Sequence, residues 1–204
     1  MGPSPDSFCE TGLRTVWIDA RHGEHNDIHL GRLRARGPYR HAGKATDRGR
    51  TMKFSTNEDI GVPIETVFAA VSDFDGFQRQ ARRRGVEVTR LDAGPGIGVG
   101  ASWQIRFAYR GKPRQVTAEI AEWSPATGYR VEFAGGGIAG DMPVELVALS
   151  RQRTRLSLEI EMRPKTLAAR VVIQSLRLAK ASLSRKFKKR VAEFAAELER
   201  RNAA

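Results

Sequence analysis

From about residue 165 to residue 200 the chain has neither proline nor glycine. Through that stretch Ile173, Leu176, Leu183, Phe187, Val191, Phe194 and Leu198 recur at three- and four-residue steps. This is the period of one buried face on one long helix. Ahead of it the pattern changes to alternation, the signature of half-buried strands. Strands are expected at 52–60 and near 86–92, 101–110, 113–123, 128–134, 142–150 and 154–163. Gly94-Pro95-Gly96, Gly111, the segment 125–128, Gly135-Gly136-Gly137 and the segment 151–153 separate the later ones. Between the first strand and the rest, Pro63 opens a helix with an apolar face of Ile64, Val67, Phe68 and Val71. The segment 72–76 breaks it, and a second short helix runs to about residue 84.

The predicted order is strand, two short helices, six strands, long helix. Strands joined by short turns pair antiparallel, because a parallel neighbour needs a long crossover. The fold class is therefore α+β. A seven-stranded curved antiparallel sheet wraps around a long C-terminal helix, at about 1.5 Å per residue roughly 50 Å long. A sheet curved around a helix encloses a pocket. The order, the opening segment MKFSTNEDIGVPIETVFAAVSDF and the segment GPGIGVGASWQIRF resemble the START-like helix-grip superfamily (SRPBCC). That group includes polyketide cyclases and dehydrases, lipid-transfer START domains and plant pathogenesis-related ligand carriers. The resemblance covers about 52–200 and implies the helix-grip fold with an internal cavity. Functions in the superfamily vary, so it implies no single activity.

Alternation sorts the side chains into an inner and an outer face. Trp103, Ile105, Phe107 and Tyr109 share the inner face of one strand. Tyr129, Val131 and Phe133 share that of another, and Met142 and Met162 belong to two more. The charged positions fall on the outer face, and the inward positions are expected to carry no carboxylate. The cavity candidates are Trp103, Phe107, Tyr109, Tyr129, Phe133, Met142 and Met162 from the sheet, with Leu176, Lys180, Leu183 and Phe187 from the terminal helix. Lys180 falls inside the apolar arc of that helix, where a lysine is costly unless paired or wet. It is a candidate to meet an acidic or phenolic ligand group.

Residues 52–204 contain no histidine and no cysteine. A Ser/His/Asp or Cys/His nucleophile is thereby excluded from them, and no catalytic residues are assigned. No cofactor is expected. The preferred function is to carry or sense a hydrophobic small molecule such as a lipid, a quinone or a polyketide-like aromatic. The alternatives are a cyclase-like or dehydrase-like enzyme acting by cavity shape, and a membrane- or protein-interaction module.

Charge supplies the last alternative. The net charge is +12, and residues 165–204 hold eleven Lys/Arg against three Asp/Glu. Arg185, Lys186, Lys188, Lys189 and Arg190 form a basic patch on the terminal helix. Leu167, Val171 and Leu178 make a second apolar stripe beside it. Apolar next to basic favours an anionic membrane surface or a protein partner over nucleic acid, which would want exposed stacking aromatics.

Residues 1–51 show no sustained period, and read as a disordered extension or as the product of a start assigned upstream of Met52. They hold His22, His25, His29 and Cys9, but the spacing fits no metal motif, and no metal is expected. Gly96, Gly98 and Ala101 fit a G-x-G-x-x-A pattern, yet a strand follows them where a dinucleotide site needs a helix. A lone cysteine and no visible secretory segment favour a cytoplasmic protein.

Overall fold

The structure is a computed structural model that describes residues 51–203 apart from Arg110. The expected N-terminal extension, with its histidines and Cys9, lies outside the described residues. Strand β1 spans Met52–Ile60, α1 Ile64–Val71, α2 Phe74–Arg83, β2 Glu87–Arg90 and β3 Ser102–Tyr109. Then come β4 at Lys112–Ser124, β5 at Gly128–Gly135, β6 at Ile138–Ser150 and β7 at Arg153–Pro164. Helices α3, Leu167–Leu178, and α4, Lys180–Ala203, close the chain.

All seven strands form one antiparallel sheet in the order β1-β7-β6-β5-β4-β3-β2. Each consecutive pair from β2 to β7 is a neighbour, and β1 closes on β7, with Met52 opposite Met162 and Ile60 opposite Thr154. Alternation decides the faces. In β1, Met52, Phe54, Thr56 and Ile60 are buried, while Lys53, Ser55 and Asn57 are exposed.

Three details depart from the sequence expectation. The glycines at 135–140 form no loop. The turn is only Gly136-Gly137, at φ +58° and +76°, a left-handed pair suited to a two-residue hairpin. Strand β6 therefore begins at Ile138 rather than near 142, and Gly140 sits inside it. A side chain at Gly140 would collide with the Phe133 ring and the Glu161 carbonyl oxygen, so glycine here gives Phe133 its place. Secondly, the long C-terminal helix is interrupted at Ala179. No proline or glycine marks the break. Thirdly, the terminal helix shares the task of covering the sheet. Helix α4 packs on β1 and α3 on β7, whereas the far side of the sheet is faced by α2, packed on β2.

Long-range bonds lock the α1 corner. Tyr129 Oη donates to the Val71 carbonyl at 2.6 Å. Thr154 Oγ1 donates to the Val62 carbonyl at 2.8 Å. The Gly61 N–H donates to Glu199 Oε1 near the end of α4, also at 2.6 Å.

Candidate ligand-binding cavity

Helix α2 has a single apolar stripe. Phe74, Phe77, Ala81 and Arg84 follow one another at three- and four-residue steps, with Gln78 four after Phe74, so they share one side. Asp73 starts the helix by accepting from the Gly76 N–H at 2.8 Å, and Arg82 and Arg83 occupy its last turn, where they complement the helix dipole. The stripe faces the sheet across a cavity of about 350 Å³. That lies at the low end of the range of about 300–1,000 Å³ for small-molecule sites.

The sheet supplies the floor. Trp103, Ile105 and Phe107 come from β3, Val116 and Ala118 from β4, and Val131 and Phe133 from β5. Met142 and Ile160 extend it across β6 and β7, while Val86 and Val88 form the wall at β2. Every one of these is a carbon surface in reach of a ligand. The polar lining residues are Gln78, Gln80, Arg84 and the indole of Trp103. Among the described residues, no carboxylate, histidine or cysteine lines the cavity, and Arg84 is the one charged lining residue. Trp103 is 4% exposed and stacks on Phe74, ring centroids 5.0 Å apart. Its Nε1 is buried with no hydrogen-bond partner among the described residues. Phe77, 41% exposed, presents an apolar ring to solvent beside the opening.

Of the residues expected to line a pocket, the structure brings together Trp103, Phe107, Phe133 and Met142. The others stand elsewhere. Tyr129 is buried beneath α1, stacked on Trp123 at 5.6 Å, and burial pushes its phenol pKa up, so it stays a donor to Val71. Tyr109, half-buried, lies at the end of β3 opposite Lys112. Met162 pairs with Met52 at the β1 side of the sheet. Leu176, Leu183 and Phe187 join the core beside β1, where Phe187 meets Phe54 at 6.2 Å. Met162, Leu176, Leu183 and Phe187 close the core rather than the cavity, because the C-terminal helices lie over β1 and β7.

Lys180 is a correction. It is exposed and begins α4. The break at Ala179 resets the helical phase, so a wheel drawn through residues 173–187 as one helix misplaces it. The inner face also carries one carboxylate, contrary to expectation. Glu58 stands on the inward register of β1, half-buried, accepting from Thr56 Oγ1 at 3.4 Å, away from the cavity lining. In the basic patch Arg185, Lys186, Lys188 and Lys189 are exposed, and Arg190 is half-buried and paired with Glu193 at 2.6 Å. The G-x-G-x-x-A pattern at Gly96, Gly98 and Ala101 lies in the loop between β2 and β3, with no helix after it.

The sequence reading placed the helix α2 but missed its part in the cavity wall. Its stripe was legible at Phe74, Phe77 and Ala81. What hid its role is that the long terminal helix was assigned the whole task of covering the sheet.

Comparison with known proteins agrees with this architecture. The structure is similar to a point mutant of the norcoclaurine synthase of Thalictrum flavum, solved in complex with a transition-state analogue. That match has a TM-score of 0.53 at 12% identity and covers 76% of this chain and 97% of that one. It is also similar to the Zhui aromatase/cyclase of a Streptomyces species, with a TM-score of 0.51 at 15% identity over 74% of this chain and 95% of the other. At such identities the likeness establishes the fold. No curated protein is significantly similar to the chain. The family profile described as polyketide cyclase / dehydrase and lipid transport matches residues 51–199. The chain therefore belongs to the polyketide cyclase/dehydrase and lipid transport family, within the START-like helix-grip superfamily.

Proposed function

We propose that the protein holds a hydrophobic small molecule in the cavity between α2 and the sheet, as a carrier or sensor. The observation that carries this reading is the wall: aliphatic and aromatic side chains from six strands and one helix, with few polar groups among them. A cyclase of the kind named for the Streptomyces relative is less well supported. Acid–base chemistry needs a group that can exchange a proton near neutral pH, and among the described residues no carboxylate, histidine or cysteine lines the cavity.

The test is binding of the fluorescent apolar probe N-phenyl-naphthylamine to the full chain. Val131→Phe and Val116→Phe each add a ring to the floor and should weaken binding about tenfold. That corresponds to about 1.4 kcal/mol, roughly two methylenes of lost burial. Probe affinity unchanged in both folded variants would remove the cavity as the binding site.

A second reading has its own observation. Leu167, Val171 and Leu178 on α3 are 74%, 63% and 92% exposed. Arg170, Arg177 and Lys180 accompany them. Three large apolar groups left in water beside cations suit an anionic membrane surface. The two readings are compatible, because α3 and the cavity use different residues.

A further inference from the structure

Helix α3 keeps three large apolar side chains in water. Leu167, Val171 and Leu178 are all exposed, and their spacing of four and seven puts them on one side of the helix. An exposed stripe of this kind marks a docking surface. Its surroundings are basic. Helix α3 carries Arg170 and Arg177, Lys180 follows, and no acidic residue occurs between Glu161 and Glu193. A second copy of the stripe would set like charge against like. The fitting occupant is apolar and acidic.

The chain itself contains such a segment. Among residues 1–20, Phe8, Leu13, Val16, Trp17 and Ile18 are apolar, and Asp6, Glu10 and Asp19 stand against Arg14 alone. The thirty residues after it are the reverse, with eight Lys/Arg against three Asp/Glu. Residues 1–50 lie outside the described residues, but the point where the chain leaves the fold is fixed. Arg177 Nη2, on α3 itself, donates to the Thr51 carbonyl at 2.9 Å. The backbone that leads to residue 50 therefore departs against the helix that bears the stripe. At up to about 3.3 Å per residue, thirty residues reach several times the length of α3, which is roughly 18 Å. The tether also makes the contact intramolecular, at an effective concentration of about millimolar order.

We propose that segment 6–20 of this chain covers the α3 stripe, with Leu13, Val16 and Trp17 on Leu167, Val171 and Leu178, and its carboxylates toward Arg170 and Lys180. The cover forms in the free protein, independently of any bilayer, which would gain the stripe only by displacing it. The test is paramagnetic broadening of amide signals in the full chain, with a nitroxide on Cys9, the only cysteine. Signals of residues 167–178 should lose most of their intensity, and those of residues 130–133 in β5 should keep theirs. Leu178→Glu and Trp17→Ser should each largely restore the α3 signals, with the remaining amides showing an intact fold. No selective loss at residues 167–178 overturns the cover, and so does a loss that survives both variants. Broadening seen only between separate chains, in a mixture of spin-labelled and unlabelled protein, would make a second copy the occupant and equally overturn it. Cosedimentation with phosphatidylserine vesicles and no broadening in their absence would remove the cover and leave the membrane reading standing.

Discussion

Asp92 shows how much a single carboxylate can organise. It accepts from Arg90 Nε at 3.0 Å and Nη2 at 2.8 Å, from the Ser102 N–H at 2.8 Å and from the Gly94 N–H at 3.1 Å. The Arg90 hydrogen bond first, and the Ser102 N–H next, hold its carboxyl well below the usual carboxylate range. The bonds tie down the loop that delivers Ser102 and Trp103 to β3. A depressed folded pKa means that the unfolded chain binds the proton more readily. The contribution is present above the ordinary value near 3.8 and is lost as pH falls below it. Asp92→Asn should therefore lower the melting temperature at pH 7, with the gap from the unchanged protein closing between pH 4 and pH 2. Melting curves across that range check it. A gap that stays constant down to pH 2 would show that the charge does not matter. Trp103, next along, keeps a buried N–H without a partner among the described residues, an arrangement that costs stability unless an acceptor is supplied.

At the scale of elements, α2 and α4 are opposites. Helix α4 buries Phe187, Val191, Ala195 and Leu198 against the core, and α2 has no fully buried residue and packs chiefly on β2. Local opening follows such differences. Amides of residues 78–83 should exchange with deuterium well before those of residues 187–198, and probe binding should slow the former selectively. Exchange at equal rates in the two helices would mean that α2 is held as firmly as α4. The strands were legible in the sequence because alternation at Trp103, Ile105 and Phe107, or at Val131 and Phe133, reflects a choice between two faces made locally. The position of the helices was not legible. Whether Phe187 lines a cavity or meets Phe54 depends on which strands the helix crosses, and its own periodicity is the same in either case. The break at Ala179 is likewise set by packing on β7 and β1, with no local breaker residue to announce it.

For the whole molecule, charge is as unevenly placed as apolar surface. Residues 165–204 carry most of the net +12, and the stripe of Leu167, Val171 and Leu178 runs along the same segment. Electrostatics at a membrane surface is worth about 1 kcal/mol per basic residue and fades within a Debye length. The protein should cosediment with phosphatidylserine-containing vesicles at low salt and be released at roughly 0.5 M salt, beyond which the Debye length is only a few ångström. Leu178→Glu should reduce the bound fraction severalfold. Absence of sedimentation at low salt would dismiss the surface as a membrane contact. No helix among the described residues is long and apolar enough to cross a bilayer.

The pairing of β1 with β7 also sets the order in which this domain can assemble. Strands β2 to β7 pair with their neighbours in sequence and can zip as successive hairpins. The first strand must wait for the seventh, and the Gly61 N–H finds its acceptor on Glu199, 138 residues later. On a ribosome the hairpins therefore form with their apolar face open, and the core closes only once the C-terminal helix has emerged. Distant pairing of this kind places the domain among slow folders, on the millisecond-to-second scale. During that interval, the aliphatic floor of the cavity is the surface most prone to sticking to other chains.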